Sequence, residues 1–364
     1  MVSAVEQIGV AVQGAGTVAT EHLKAYLRNP HCRVVAIGSR TKDGATAKAR
    51  QVGLDPGQIS IYDDLDELLA RADLDALSIC TPPSRHARET IASAQAGKHL
   101  LIEKPAATNP EDLRAMAAAV AEAGVRTVVS FVLRWNPLVQ AARALVAEGM
   151  LGDLIYVQTD YWHNPEQSGY PGAKGRLWRA TIDAILSGGS HAVDLARYLM
   201  DSDIVEVVAL ETTALEGLPQ PANQIALVRF ANGKAGKVSA CTEPWIPYQF
   251  NIDLLGSDGG LRDNRFYSRK LPGALDWATF PTVLPNSGLV GHHPFQQEID
   301  HFVDCIREGV ESHVSLRDAV NTHEACFAIT RSGRAGGQPV TLPLPRPASS
   351  GPLPPRHRGG EAAR

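Results

Sequence analysis

The chain has 364 residues, of which 44% are hydrophobic and 20% charged, a globular composition that excludes wholesale disorder. A formal net charge of −4 argues against a nucleic acid or an anionic membrane as partner. No apolar run approaches the roughly 18 residues of a membrane span, and no signal peptide is expected. Five widely spaced cysteines without a C-x-x-C pair indicate a reducing compartment, so we expect a soluble, cytoplasmic protein of about two domains.

Short apolar runs alternate with helical patterns through the first third of the chain. Strands are predicted at residues 8–12, 33–39, 74–80, 99–103 and 126–130. Helices are predicted from the first turn to Arg28 and at 46–52, 84–96 and 110–123, with Ser84 and Asn109 as N-caps. This alternation predicts an α/β, Rossmann-like domain with a doubly wound parallel sheet, which we place at residues 1–131.

A glycine-rich turn follows the first strand and opens a helix. Residues 14–19 read G-A-G-T-V-A, which matches the pattern G-x-G-x-x-A. Glycines there permit a tight turn and let a pyrophosphate approach backbone N–H groups at a helix N-terminus. The pattern predicts a dinucleotide site formed by Gly14, Gly16, Thr17 and Val18, and a purely structural turn is the alternative.

The end of the second strand indicates which dinucleotide is bound. NAD sites usually have Asp or Glu there, on the ribose 2′-hydroxyl, whereas this chain has Ser39 and Arg40. A hydroxyl and a cation suit a 2′-phosphate, so NADP(H) is favoured over NAD(H). A solvated basic turn that tolerates either cofactor is the alternative.

Two further motifs make the sequence specific. T-P-P-x-x-H at residues 81–86 is followed by E-K-P at 103–105. Behind the glycine turn, this combination resembles the Gfo/Idh/MocA family of oxidoreductases, named after glucose–fructose oxidoreductase and inositol dehydrogenase. Looser similarities at 131–137, 149–153, 254–262 and 295–309 extend the resemblance over most of the chain. The resemblance adds the following cofactor-binding candidates: Thr81, Pro82, His86, Glu103, Lys104 and Arg134.

The resemblance implies a second, α+β domain with a large open, mostly antiparallel sheet, and the residue pattern agrees. Strands are predicted at 154–162, 204–215, 222–230, 235–243 and 249–256, and helices at 189–200, 295–308 and 316–333. This domain spans residues 132–345. The Pro-, Gly- and Arg-rich end at 346–364 is predicted to be a disordered tail.

The lysine of E-K-P stands beside the nicotinamide in the family that the chain resembles. This similarity makes Lys104 the candidate acid/base group, since hydride transfer to or from an alcohol or ketone needs a proton donor or acceptor. Pro105, often preceded by a cis peptide in that family, is expected to fix the turn, and Glu103 to orient Lys104. A solvated surface lysine is the alternative.

Residues 187–197 resemble the family's helix start D-x-G-x-H-x-x-D-x-x-R. His191 matches the histidine, an auxiliary catalytic residue, and Asp194 matches the second aspartate, but Ser187 replaces the first. His191 therefore lacks its usual carboxylate partner, which puts a relay of the inositol dehydrogenase type in doubt. The alternatives are a satisfied helix-start histidine and a structural ion pair of Asp194 with Arg197.

Several side chains offer aromatic faces or hydrogen-bond donors suited to a sugar, a cyclitol or a related polyol. The substrate-binding candidates are Lys104, Tyr161, Trp162, His163, Arg176, Trp178, Ser187, His191 and Asp194. Anchoring in the core is the alternative for the two tryptophans. His292 and His293 lack Asp, Glu or Cys partners at metal-ligand spacing, so no metal site is predicted.

The predicted function is NAD(P)-dependent hydride transfer at a hydroxyl or carbonyl carbon of such a substrate. The resemblance leaves two alternatives open: glycoside hydrolysis through transient oxidation by tightly held NAD, and a non-catalytic regulator that binds dinucleotide and sugar. A homodimer or homotetramer through the C-terminal sheet is expected.

Overall fold

The computed structural model describes residues 7–164, 182–213, 220–286 and 290–345. Two substrate-binding candidates, Arg176 and Trp178, lie outside the described residues, as does the tail predicted at 346–364. No helix in the described part of the chain is long and apolar enough to cross a membrane.

The first half of the chain forms a six-stranded, wholly parallel sheet in the order β3-β2-β1-β4-β5-β6. The strands are β1 (Ile8–Gln13), β2 (Cys32–Gly38), β3 (Ser60–Tyr62), β4 (Ala76–Ile79), β5 (His99–Ile102) and β6 (Thr127–Val129). The helices are α1 (Thr17–Arg28), α2 (Lys42–Gln51), α3 (Leu65–Leu69), α4 (Pro83–Gln95) and α5 (Pro110–Ala123). The predicted doubly wound fold is confirmed. Because the strand order reverses between β1 and β4, their carboxyl ends form the crevice where ligands bind in such sheets.

Helix starts in this half follow local capping chemistry. The Asn109 side chain accepts a hydrogen bond from the Asp112 N–H (2.8 Å), which confirms the predicted cap of α5. The prediction of Ser84 as a cap is wrong, because α4 begins at Pro83, whose fixed φ suits the first helical position, and Pro82 is the N-cap.

The second half forms a nine-stranded sheet in the order β14-β13-β12-β11-β7-β10-β9-β8-β15. Among the described strands only β7 and β10 pair in parallel, so the predicted mostly antiparallel sheet is confirmed. Its strands are β7 (Leu154–Trp162), β8 (Ile204–Thr212), β9 (Asn223–Phe230), β10 (Ala235–Cys241), β11 (Gln249–Gly256), β12 (Gly259–Arg262), β13 (Arg265–Ser268), β14 (Ala278–Thr279) and β15 (Val340–Thr341). Its helices are α6 (Pro137–Ala147), α7 (Ala184–Ser187), α8 (Ser190–Met200), α9 (Phe295–Glu308) and α10 (Leu316–Arg334). Helices α7, α8 and α10 pack on one face of this sheet.

The two halves share part of their packing. Helix α9 packs on α1 and adds Ile299, Phe302 and Val303 to the hydrophobic core of the first sheet. Val18, at the start of α1, packs against Val132 and Phe295. The late helix therefore ties the second half to the edge of the crevice.

Candidate functional site

The turn between β1 and α1 is shaped to receive a phosphate group. Gly14 has a φ of +126°, and a Cβ there would lie 2.5 Å from the Cys80 carbonyl oxygen, so only glycine fits. Gly16 is the N-cap of α1 without a side-chain hydrogen bond, and a Cβ there would meet no described atom within 4 Å. The exposed N–H groups of the first turn, including that of Thr17, thus fit a pyrophosphate. The Val18 side chain packs into the protein instead.

The turn after β2 carries the residues predicted at the adenosine ribose. Arg40 is exposed and Ser39 partly exposed. The Thr41 hydroxyl accepts from the Gly44 N–H (3.2 Å) and caps α2. Lys42 Nζ lies 3.6 Å from Asp63 Oδ1, and Asp63 directly follows β3.

A buried carboxylate that sequence reasoning missed lies at the carboxyl ends of β1 and β4. Glu89 on α4 accepts hydrogen bonds from Thr81 Oγ1 (2.5 Å) and Gln13 Nε2 (3.5 Å) and pairs with Arg85 (2.7 Å). The four-residue spacing of Arg85 and Glu89 was the available signal. Glu89 thereby fixes Thr81, which directly precedes Pro82 in the turn between β4 and α4.

Two buried histidines hold the backbone around the E-K-P turn. His86 Nε2 lies 2.8 Å from the Thr81 carbonyl oxygen, and Nδ1 lies 3.0 Å from that of Pro105. The His86 ring therefore lies between two turns and can donate to only one of these carbonyls when neutral, and its contact with the cofactor stays a prediction. Burial lowers the pKa of His86, so its ring is neutral.

The second of these histidines, His323 on α10, was missed by sequence reasoning. Its Nε2 accepts from the Ala106 N–H (2.8 Å), and its Nδ1–H donates to the Ala319 carbonyl (2.8 Å). Burial lowers the pKa of His323 to about 4, which keeps Nε2 an acceptor. The contact ties the E-K-P turn to the second half of the chain.

Lys104 lies at the junction of the two halves. The Lys104–Pro105 peptide is cis, as expected, and Lys104 Nζ donates to the Ser187 carbonyl (3.2 Å). The Lys104 N–H donates to Glu103 Oε2 (3.1 Å), while Glu103 Oε1 lies 3.1 Å from His22 Nε2. Burial acts to raise the pKa of Glu103, but the hydrogen bond from His22 and the nearby positive charges outweigh it and hold that pKa below its usual value. The ionised Glu103 carboxylate therefore accepts a hydrogen bond from the backbone of Lys104 and holds this residue in place.

His191 is brought next to Lys104, as the motif predicts. The ring is almost fully buried at the start of α8, stacked on Tyr161 (6.3 Å) and edge-on to Phe131 (5.9 Å). Its Nδ1 has no hydrogen-bond partner among the described residues. Burial, followed by the charges of Lys104 and His293, lowers the pKa of His191 well below its ordinary value. The imidazole is therefore neutral.

Aromatic side chains line the floor behind His191. The Tyr161 hydroxyl lies 3.0 Å from His163 Nδ1, and Tyr248, which sequence reasoning missed, stands edge-on to both rings (5.4 and 5.2 Å). A Cβ at Gly188 would lie 1.9 Å from the Tyr161 ring, so the glycine permits this close approach. Tyr161 and His163 thus join the site.

Trp162 does not join them. Side chains alternate along a strand, so Trp162 lies on the opposite face of the sheet from Tyr161. Its Nε1–H donates there to Ser239 Oγ (3.1 Å), on the neighbouring strand. The structure therefore does not bring Trp162 together with Tyr161 and His163, and its substrate contact stays a prediction.

Arg134 and Asp194 form a buried ion pair with each other. Arg134 donates from Nε and Nη2 to the two Asp194 oxygens (2.8 and 2.7 Å) and from Nη2 to Asp318 (2.7 Å). Burial opposes the charge, but the two carboxylates hold the pKa of Arg134 above its ordinary value. Arg197 instead donates to Thr322 (2.8 Å) and Asp203 (2.5 Å), so an Asp194–Arg197 pair is wrong. Arg134 and Asp194 thus join the segment before α6 to α8, and their predicted contacts with cofactor and substrate stay predictions.

No group of three or more His, Cys, Asp or Glu side chains within the described ranges is arranged to hold a metal ion.

Fold and site together define a dinucleotide-dependent oxidoreductase, and two family models agree with this class. The model of an oxidoreductase family with an NAD-binding Rossmann fold matches residues 8–131, and that of the GFO/IDH/MocA C-terminal domain matches residues 139–262. The chain belongs to the Gfo/Idh/MocA family. The predicted family and enzyme class are confirmed.

Similar proteins cover nearly the whole chain. The scyllo-inositol 2-dehydrogenase (NAD(+)) of Bacillus subtilis (strain 168) is 26% identical over 345 residues, which span 93% of this chain and 98% of that protein. Inositol 2-dehydrogenase 1 of Mycolicibacterium vanbaalenii is 27% identical over 353 residues, 93% of this chain and 97% of that protein. A solved structure of levoglucosan dehydrogenase in complex with NADH has a TM-score of 0.82 at 22% identity, covers 93% of this chain and 100% of its own, and shares the fold.

Proposed function

We propose that this chain is a nicotinamide-dependent dehydrogenase or reductase that acts on a hydroxyl or carbonyl carbon of a sugar, a cyclitol or a related polyol. The observation that carries the proposal is the placement of Lys104, held on the Ser187 carbonyl beside His191 at the carboxyl edge of the parallel sheet. The relatives described above, two inositol dehydrogenases, support this substrate class.

Lys104 is the proposed acid/base group. When alcohol and ketone interconvert, the substrate oxygen must lose or gain a proton. An ammonium has three N–H donors, so Lys104 can keep its contact with Ser187 while it binds a substrate oxygen. The ionised Glu103 below the backbone of Lys104 holds the turn in place and keeps the local charge balanced.

His191 is the proposed auxiliary residue, with Tyr161, His163 and Ser187 as further substrate contacts. A neutral imidazole whose buried Nδ1 lacks a partner among the described residues is suited to hydrogen-bond a substrate hydroxyl. The stacked Tyr161 ring restricts the imidazole to one plane.

The cofactor is a nicotinamide dinucleotide held by Gly14, Gly16 and Thr17, and it supplies the hydride acceptor or donor when bound. NAD(H) is the better supported form. The relative from Bacillus subtilis is named as an NAD(+) enzyme, and the levoglucosan dehydrogenase structure is a complex with NADH. Ser39 and Arg40 support binding of the 2′-phosphate of NADP(H), a preference that stays a prediction.

Three further proposals concern the whole chain. The boundaries of the matched family models support a division into a dinucleotide-binding domain at 1–131 and a substrate domain at 132–345. The outer face of the nine-stranded sheet supports a homo-oligomer, because Leu210, Ile225 and Leu227 are 66, 46 and 63% exposed and adjacent in register. The free cysteines support a cytoplasmic location.

A substrate panel tests the proposed function. Cyclitols and sugars with the oxidised cofactors, and keto-sugars with the reduced ones, are followed at the nicotinamide absorbance. We expect turnover with at least one polyol or its ketone. Release of free glycan without net cofactor turnover would instead identify a glycoside hydrolase, and binding of both ligands without product would identify a regulator.

A further inference from the structure

Besides Glu103, a further buried carboxyl group lies close to the E-K-P turn and has no part in the proposed reaction. Glu298, on α9, is fully buried. Its Oε2 lies 2.9 Å from Ser130 Oγ, and its Oε1 has no hydrogen-bond partner among the described residues. A buried carboxylate with an unsatisfied oxygen is strongly disfavoured, whereas a neutral carboxylic acid is tolerated far better.

Ser130 connects this group to Glu103. The Ser130 N–H donates to the Ile102 carbonyl (2.8 Å), which places the hydroxyl beside the end of β5, where it helps to lower the pKa of Glu103. A hydroxyl has a single proton to donate. If both carboxyl groups were ionised, one of them would face only the lone pairs of Ser130. One neutral and one ionised carboxyl group remove this conflict.

A second chain of hydrogen bonds reaches Glu103 from the opposite side. The Tyr26 hydroxyl lies 2.8 Å from Ser78 Oγ, which lies 3.1 Å from His22 Nδ1, and His22 Nε2 lies 3.1 Å from Glu103. His22 donates its Nε2–H to Glu103, and Ser78 and Tyr26 continue the chain from Nδ1. Glu103 is therefore the acceptor at the end of each chain, and it has no proton of its own to donate.

We propose that Glu298 is a neutral hydrogen-bond donor whose O–H is directed to Ser130, so that the Ser130 proton points to Glu103 and fixes that carboxylate beneath Lys104. Glu298 is then a positioning residue. Its effect on turnover depends on the proposed function, whereas its protonation state does not.

The groups around Glu298 agree with this assignment. The titratable groups facing it are Glu103, Tyr26 and Cys80, from the ends of the sheet and from α1. Burial raises the pKa values of Tyr26 and Cys80, which leaves both neutral. Burial first, and then the charge of Glu103, raises the pKa of Glu298 well above its usual value, whereas that of Glu103 is lowered.

Substitution of Glu298 by glutamine tests the protonation state without any substrate. Folded Glu298 keeps a proton that the unfolded chain releases above about pH 4.5, so wild-type stability falls as the pH rises. Glu298→Gln is neutral in both states and keeps a donor. We therefore expect the ratio of the wild-type to the variant unfolding constant to rise by up to tenfold per pH unit between pH 5 and 8 in urea denaturation. Glu308→Gln, exposed on the same helix, should give a flat ratio. A flat ratio for Glu298→Gln would overturn the proposal.

Turnover tests the positioning role on the substrate found by the panel. Glu298→Gln should keep kcat and its pH profile within about twofold, whereas Glu298→Leu, which leaves Ser130 without this donor, should lower kcat at least tenfold with little change in cofactor binding. Ser130→Ala should give a similar loss, not additive with that of Glu298→Leu. If glutamine costs as much kcat as leucine, the carboxyl group itself takes part in the reaction and the proposal is wrong.

Discussion

Ser187 is the residue at which this site departs from the family pattern. Its backbone carbonyl, not a carboxylate, accepts the Lys104 ammonium, and it also accepts from Ser190 Oγ (3.2 Å). His191 therefore faces the Lys104 ammonium and the His293 ring without a compensating carboxylate from position 187. A single substitution, Ser187→Asp, would restore the negative charge that the family pattern has at this position.

Ser187→Asp should raise the pKa of His191. A carboxylate at position 187 opposes the effect of Lys104 and stabilises the imidazolium, so the histidine should titrate at higher pH. The shift is measured by NMR titration of the His191 ring. Ser187→Asn is the matched neutral control and should leave the titration near that of the wild type. Equal titration of the aspartate and asparagine variants would show that the side chain at 187 does not face His191.

Arg40→Ala should separate the two cofactors. Loss of a charge-assisted contact with a 2′-phosphate should weaken NADP(H) binding by about 10- to 100-fold and NAD(H) binding far less. Calorimetric titration with both cofactors measures this, with the neighbouring Lys42→Ala as the control cation. Equal losses for both cofactors, or tighter NAD(H) binding by the wild type, would contradict the NADP(H) preference.

At the level of elements, the sequence pattern predicts most of the long helices and strands but misses the eleven-residue α6 and several short elements. Strand β3 has three residues, too few for a period, and α3 has five. Helix α2 begins at Lys42, earlier than the predicted 46, because Thr41 caps it. The packing of α9 on the first core could not be read from its amphipathic pattern, since periodicity identifies a buried face but not the surface that covers it.

The outer face of the nine-stranded sheet gives an element-scale prediction. Leu227 on β9 is exposed opposite Val208, so a lysine there should disrupt an interface formed by this face while the monomer stays folded. Light scattering after gel filtration should give an oligomer for the wild type and a monomer of 39.0 kDa for Leu227→Lys. Leu27→Lys, at an exposed leucine of α1, is the control. An unchanged mass for Leu227→Lys would exclude this face.

At the scale of the whole molecule, the site is assembled from both halves of the chain. Lys104 and His191 could be predicted because each belongs to a local motif. His323 and Tyr248 belong to none, and the looser similarity at 295–309 contains Glu298 without indicating a role for it. His323 bonds the Ala106 backbone across 217 positions, and no spacing rule indicates such a contact. Only the folded chain brings these residues close to Lys104 or His191.

The most direct test of the central proposal is the turnover of Lys104→Met. Loss of a general acid should lower kcat by about 10²–10⁴-fold on the substrate found by the panel, while cofactor affinity stays nearly unchanged. Lys24→Met, at a lysine of α1 whose side chain is 44% exposed, controls for the loss of one surface charge and should retain wild-type turnover. Wild-type turnover by Lys104→Met would contradict the proposed role of Lys104 in hydride transfer.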